Sequence, residues 1–536
     1  MTRTLILFFF FTASLTSFSQ RGFYKSIYGN WGEHLTVPNF ARVNKLPNGE
    51  FFVTSAVNYS TDYFTCSKLN GDFNVIWEKS YLKAADSPTN RIDYGMGLTD
   101  GTIASVGIYP GTVVIMHSPD GELISCNRYG KPGANYHIGT IQKSSLPDSS
   151  AVFTIGQCAI LYGLIKVNKH GEVVWAHDYF NGHTKARIYT LELGADYGYV
   201  TVGNRSDPID EISFWNSSVV TLSNDDGTFR KATIIKSISP SRNTLELSVL
   251  ETSKVENAYY VAIFTKDNRD WPVITDNYHQ ILKLNSDLEI VKQWKLETSD
   301  ENIRLRIMNM TETTNGELII NGNLRDTTDY STKFFVAKID PTADGSIVWS
   351  KHIKGAISPG INHIANAGLE TFGAYDDILF SFHSVFDGAM LASLDQNGEG
   401  FCNSTDIEMS LEEVTLLSNE PYEMSPSTPE IYPYPVTMTE AEKWHQDTMI
   451  CYTSDLSIDH LEDAPDLVNW YSLDPKKAII RNTTNDLVEI SLYNLQGQLV
   501  YETQILSNNS VIIPTNGNLL LFRARQNEKY QVGKIK

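Results

Sequence analysis

The sequence predicts an all-β protein, a seven-bladed β-propeller followed by a small C-terminal β-sandwich. Three observations lead there: one hairpin unit recurs every 50 to 60 residues, a second hairpin series interleaves with it, and the composition suits pleated sheets. Aromatic residues make up 11% of the 536, with 27 Tyr and 24 Phe, and these pack well on a half-buried pleated surface. A chain of this length exceeds one ordinary core, so several domains or a repeated architecture must share it.

The recurring unit is an alternating strand, a polar turn with Gly or Asp, and a second strand that often carries Trp. It reads Cys66-Ser-Lys-Leu-Asn-Gly71 before Trp77, Met116-His-Ser-Pro-Asp-Gly121, and Ile165-Lys-Val-Asn-Lys-His-Gly171 before Trp175. Further copies turn at Asp226-Gly227, Ser286-Asp287, Asp344-Gly345 and Asn397-Gly398. The second series turns near Asn48-Gly49, Asp100-Gly101, Asp148, Asp196, Asn257, Asn315-Gly316 and Asp376. Gly, Asn and Asp are the residues that tolerate tight hairpin turns. Two hairpins per repeat make a four-stranded sheet, and seven such sheets packed radially leave only short edges. Trp77, Trp175 and Trp349 are expected to fill the wedges between blades. Ala337-Lys-Ile-Asp340 through Trp349 loosely resembles the repeat of quinone-cofactor dehydrogenases but the other copies lose it, and a sialidase-type Asp box fails because Asp and Gly are adjacent wherever both occur, so no cofactor is expected.

The ends carry different signals. Residues 1–19 place Arg3 before an apolar run from Leu5 to Phe11 and small residues after it, the order of a secretory signal. That run is far shorter than the roughly 20 residues that cross a bilayer, and no other stretch is expected to cross one. The propeller is then expected over 20–410. A stretch at 411–466, rich in Glu and Pro, reads as an extended linker over the propeller surface. The C-terminal domain follows at 467–536. The formal charge of -20 argues against a nucleic-acid partner. Five cysteines (Cys66, Cys126, Cys158, Cys402 and Cys451) show no metal spacing, so no metal site is expected. A Cys402–Cys451 bridge is possible in an exported chain, with isolated buried thiols as the alternative.

Near the C-terminus, Ile490-Ser-Leu-Tyr493-Asn-Leu-Gln-Gly497-Gln-Leu-Val500, then Ile513-Pro-Thr-Asn-Gly517, then a basic finish from Lys529 to Lys536, form a strand-turn-strand series. It resembles the type A sorting domain of the type IX secretion system of Bacteroidota. Where that family opens with Tyr-Pro-Asn-Pro, this chain has Tyr471-Ser-Leu-Asp474-Pro475. The resemblance implies type IX secretion machinery as a partner and a secreted or cell-surface destination. It is silent on what the propeller does.

The candidate site comes from a recurrence in the segments that enter each blade. Arg91-Ile92, His137-Ile138, Arg187-Ile188, Arg306-Ile307 and His363-Ile364 each precede their turn by about ten residues, and Arg242 falls in a matching stretch. In a strand the Ile should face the packing and its cationic neighbour the opposite side. Arg91, His137, Arg187, Arg242, Arg306 and His363 would then ring the channel mouth and bind an anionic polysaccharide, or pair instead with carboxylates such as Asp93, Glu192 and Glu312. Two functions follow: a module that binds a polymer or protein partner, and a lyase of acidic glycans using Tyr136 and His137.

Overall fold

The structure is a computed structural model. It describes residues 23–26, 40–56, 63–71, 73–82, 91–108, 113–131, 134–141, 146–157, 160–179, 185–193, 198–206, 217–238, 244–266, 278–300, 302–328, 332–342, 345–353, 369–372, 376–384, 388–399, 404–424, 426–436, 439–440, 448–452, 467–474, 477–493, 499–507, 509–514, 520–526 and 529–535, some by main chain only. The secretory-signal expectation for residues 1–19 lies outside them.

Seven antiparallel blades form a ring. In the first blade, Phe40–Lys45, Phe51–Ala56, Tyr63–Leu69 and Val75–Leu82 pair in chain order. The same order repeats over residues 91–131, 134–178, 185–237, 244–298 and 303–353. The first strands of consecutive blades touch one another all the way round, and the first blade meets the seventh. These strands therefore line the centre. Among the described residues no helix interrupts the series.

Blade seven departs from the simple repeat. The sequence implies that the chain turns at Asn397-Gly398 and runs back along its own blade. Instead the fourth place is taken by the N-terminal Phe23–Ser26, which pairs with Gly388–Leu394. The chain after Gly398 reads Glu-Gly-Phe-Cys-Asn, without strand alternation, whereas Phe23-Tyr-Lys-Ser26 alternates.

Neighbouring blades interlock through aromatic side chains. Trp77 Nε1 donates to Pro119 O at 2.9 Å in the next blade's outer turn, and Trp349 Nε1 to Gln396 O at 3.1 Å. Tyr129 OH donates to Gly171 O at 2.7 Å, and Tyr179 OH to Gly227 O at 2.5 Å. Turn glycines fit under these rings: a Cβ at Gly121, where φ is +87°, would lie 2.8 Å from Trp77. The expected wedge role of the tryptophans holds at Trp77, Trp349 and Trp175, the last lying against Gly227 and Tyr199 of blade four. The Lys of the repeat also has a fixed place: Lys68, Lys166 and Lys338 bridge to Glu50, Asp148 and Glu317 of their own blades' inner turns.

The stretch expected to be a linker is a belt. Its segments add an outer strand to the blades in reverse order. Ser404–Asp406 pairs with blade six, Met409–Glu413 with blade five and Leu417–Pro421 with blade four. Ser427 bridges to Asp178 of blade three, with main-chain bonds of 2.8 and 2.7 Å. Tyr432–Pro435 then pairs with blade two, Thr439–Glu440 with blade one, and Thr448–Tyr452 with Phe23–Ser26 in blade seven. One or two apolar side chains per step plug the grooves between blades. Met409, Leu417 and Ile431 are buried in inter-blade clusters, and Tyr422, Met424 and Val436 pack against others. Burying such a side chain is worth about 1.5–3 kcal/mol.

The glutamates and prolines that made this stretch look like linker suit an edge. Glu412, Glu413, Glu420, Pro421, Pro433 and Pro435 are exposed. Charge and missing N–H groups make an outer edge a poor template for another strand.

The chain divides into two compact units, residues 1–452 and 453–536. In the second, Val468–Asp474, Lys477–Asn482 and Ser510–Pro514 form one sheet, and Val488–Tyr493, Leu499–Ile505, Leu520–Gln526 and Lys529–Ile535 another. Val468, Ala478, Ile480 and Ile513 of the first share a buried cluster with Ile490, Leu492, Phe522 and Ala524 of the second.

Candidate functional site at the first strands

Four of the six cationic positions lie on first strands, the ones that line the centre. Arg91 opens Arg91–Gly97, His137 lies in Ala134–Ile141, Arg187 in Lys185–Leu193 and Arg306 in Ile303–Glu312. Arg242 and His363 lie outside the described residues. The side chains of Arg91, Tyr136, His137 and Arg187 do as well, as does that of Glu192. At Arg306 the side chain is described: it is exposed, while Ile307 beside it is fully buried. The expected alternation holds there.

Each of these dipeptides abuts a β-bulge. The register slips between Ile92 and Tyr94, Ile138 and Ile141, Ile188 and Thr190, and Ile307 and Asn309, and blade five slips between Leu247 and Val249. A bulge bends its strand and re-aims the side chains beside it. In blades two, four and six the Ile sits opposite a glycine: Gly107, Gly203 and Gly322. A Cβ at Gly322 would lie 1.9 Å from the carbonyl oxygen of Arg306, so only glycine leaves room for the main chain there. Sequence reasoning found the dipeptides and missed their glycine partners. The signal was present in the Gly-Asn pairs Gly203-Asn204 and Gly322-Asn323.

Glu312 is not the counter-ion of Arg306. It ends the same strand and turns to blade five, where Ser253 Oγ donates to it at 2.9 Å and the Lys254 N–H also bonds it. Glu251 of blade five in turn accepts from the Glu312 N–H at 3.0 Å and from Thr311 Oγ1 at 3.2 Å. The two buried carboxylates clasp neighbouring blades. Burial pushes the Glu312 carboxyl above its usual range, and the Glu251 charge adds to it against the opposing hydrogen bonds.

Below Arg306 lies His279, fully buried, its ring tilted by 30° against that of Phe264 with centroids 4.7 Å apart. Its Nδ1 accepts from the Ile307 N–H at 3.5 Å. Burial, reinforced by the Arg306 guanidinium, holds this imidazole well below its usual range, so it stays neutral and supports the main chain under Arg306. Among the described residues no His, Cys, Asp and Glu group could hold a metal. No described helix is long and apolar enough to cross a membrane. Cys66 and Cys126 are buried, Cys402 and Cys158 lie outside the described residues, and Cys451 sits opposite Tyr24 in the belt's last strand.

The sequence matches no family model and no curated protein. Among solved structures, a protein of unknown function from Bacteroides caccae is 10% identical, over 56% of this chain and 94% of that one, with a TM-score of 0.31. One of unknown function from Dyadobacter fermentans is 10% identical, over 57% and 94%, at 0.34. Drosophila Plexin A in complex with Semaphorin 1b is 7% identical, over 69% and 87%, at 0.37. At these scores none brings a function to this chain.

Proposed function

We propose that this chain is an exported binding module, directed to the cell surface or exterior by its N-terminal signal and C-terminal sorting domain, whose propeller takes up an anionic polymer at the channel mouth. The observation that carries the reading is positional. A cationic residue followed by a packing Ile recurs on first strands beside a bulge, and at the described copy the guanidinium is exposed while the Ile is buried. Arg suits carboxylate and sulfate because its planar fork meets two oxygens at once. A ring of such groups makes a local positive field within a chain of net charge -20, which attracts a polyanion despite overall repulsion.

The test is an array of uronic-acid and sulfated polysaccharides probed with wild type and with Arg187→Ala/Arg306→Ala. Binding should be retained by wild type, weaken with salt and fall at least tenfold in the double variant. Release of unsaturated uronate, abolished by His137→Ala, would turn the reading into a lyase. No retention of any acidic polymer would end it.

A further inference from the structure

We propose that the seam between blades four and five holds a binding site for an uncharged hydroxylated group, a sugar hydroxyl, formed by Gln280, Thr265 and Ser218. The site lies outside the ring of cationic positions and takes a different chemistry.

The three side chains come from three strands and face one seam. Gln280 lies in Tyr278–Asn285, opposite Ile263 and two residues before Leu282, and Thr265 lies two residues after Ile263 in Ala258–Lys266. Ser218 lies in Ser217–Ser223 of blade four, opposite Ile235 and two residues before Val220. Ile263, Leu282, Ile235 and Val220 share one buried cluster that spans the two blades. Residues two apart on a strand, and residues directly opposed across a pair, take the same face of a sheet. Gln280, Thr265 and Ser218 therefore point into this seam, one layer beyond its apolar filling. In an antiparallel blade the third strand begins where the first begins, so the layer lies at the mouth end.

All three are fully buried, and Gln280 Oε1 and Nε2, Thr265 Oγ1 and Ser218 Oγ lack any hydrogen bond. The folded chain thus carries the desolvation cost of four polar atoms in one place. Packing alone does not select an amide here. Three residues before the lysine of the repeat, blade six has the buried Phe335 ahead of Lys338, whereas blade five has Gln280 ahead of Lys283. Gln293, opposite Leu282 on the next strand, shows that an amide on this face is satisfied when partners are at hand, since it meets three main-chain groups of the belt.

The group that fits is uncharged and both donates and accepts. A hydroxyl can donate to Gln280 Oε1 while accepting from its Nε2 or from Thr265, and a sugar offers several hydroxyls on one ring. An ion would lose its hydration without gaining a counter-charge, because Lys295, opposite Gln280, is already paired with Glu297 at 2.5 Å. The belt closes the outer side, where Leu417 is buried in the same cluster. A bound hydroxyl therefore enters by parting the blades at the mouth end. The four unmet atoms favour that parting, since the ligand supplies bonds that the closed seam forgoes.

The experiment is thermal denaturation of the full chain in D-glucose, D-galactose or D-mannose, with glycine betaine as an osmolyte that has no hydroxyl. A ligand that binds only the folded state raises stability with a saturating dependence on its concentration, whereas an excluded osmolyte acts without saturating. Wild type should show a saturating rise with at least one sugar, and Gln280→Met should lose at least tenfold in apparent affinity. Thr265→Val, matched in shape and without the hydroxyl, should lose several-fold, and it decides the matter if the methionine variant does not fold. In buffer alone Thr265→Val should melt no lower than wild type, because it removes a polar atom that has no partner. A rise that does not saturate, equal affinity in wild type and variants, or a lower melt of Thr265→Val in buffer would overturn the site. Arg187→Ala/Arg306→Ala should lose retention of acidic polymers and keep the sugar effect. A sugar effect in a wild type that retains no acidic polymer would remove the polymer reading and leave the seam site.

Discussion

Replacing Gln293 by Met should loosen the belt without dismantling the blade beneath it. Gln293 lies on the fourth strand of blade five and is 6% exposed. Its Oε1 accepts from the Leu416 N–H at 3.1 Å and the Leu417 N–H at 2.9 Å, while its Nε2 donates to Leu417 O at 2.6 Å. One side chain thus holds three main-chain groups where the belt crosses from blade five to blade four. Asn419 locks the same crossing from the belt side, donating to Leu288 O and Thr233 Oγ1. Methionine keeps the volume and satisfies none of the three. A buried donor or acceptor left without a partner costs about 1–3 kcal/mol, so local opening should become easier by about 3 kcal/mol. That corresponds to roughly a hundredfold faster amide exchange at Leu416 and Leu417. Hydrogen exchange read by mass spectrometry, with Glu-specific proteolysis at Glu412, Glu413 and Glu420, measures it. If exchange at Leu416 and Leu417 stays within about threefold of wild type while the melting temperature falls, the side chain stabilises the blade and the reasoning fails.

Three further outcomes are expected. His117 is fully buried, bonds Tyr81 OH at 2.7 Å, and is held down to about 3 by burial and by Lys79. Between pH 6.5 and about 3 the unfolded chain binds a proton that the folded one refuses, so stability falls about 1.4 kcal/mol per unit of acidification; the stability gap between wild type and His117→Asn in urea should therefore shrink from pH 6.5 to 4.5, and a constant gap would contradict this. Gly322→Ala should cost about 1–3 kcal/mol or more by forcing a methyl against the Arg306 carbonyl, whereas Gly49→Ala, at φ +80° with nothing within 4 Å, should cost about 1 kcal/mol by backbone strain alone; equal losses in denaturant would refute the close-packing account. If the proposed export holds, mass spectrometry of the native protein should find a start near Gln20 and an end between residues 453 and 466, beyond the belt; a chain cut at 410 should associate where one ending at Tyr452 does not.

The blades were legible because their turns are chemical: Asn-Gly and Asp-Gly pairs mark hairpins whatever surrounds them. The belt was not, because it is held largely by main-chain pairing, which leaves no residue signature. Leu417 and Ile431 are its deep anchors over blades four and two, and isolated apolar residues among Glu and Pro read as linker. The closing strand was hidden for another reason. Phe23–Ser26 has four residues, and its partner lies at the far end of the propeller's sequence. At the candidate site the repeat exposed Arg306, since descent copies a position into every blade. Gln280, Thr265 and Ser218 have no such copies. Only the register across their strands brings them to one seam.

The belt and the mouth belong to one end of the blades. In blades one, two, four, five and six the belt pairs with the last residues of the fourth strand: Tyr81 and Leu82, Asn127 to Gly130, Thr233 to Ser237, Trp294 to Thr298, and Lys351 to Ile353. From those ends the chain crosses to the next first strand, on which the Arg and His positions lie. Each belt segment therefore fixes the point from which a mouth segment departs, and pre-organised departure points lower the ordering cost of binding. The closure is shared as well. Phe23–Ser26 pairs on one side with Gly388–Leu394 and on the other with Thr448–Tyr452, so the last turn of the belt has its template only once the ring has closed. Loosening at Gln293 should then reach the mouth through the departure point at Thr298. Gln293→Met should weaken the polymer binding proposed for the mouth, because the first strand that carries Arg306 is reached from that point, and unchanged retention on the acidic-polymer array would refute the coupling.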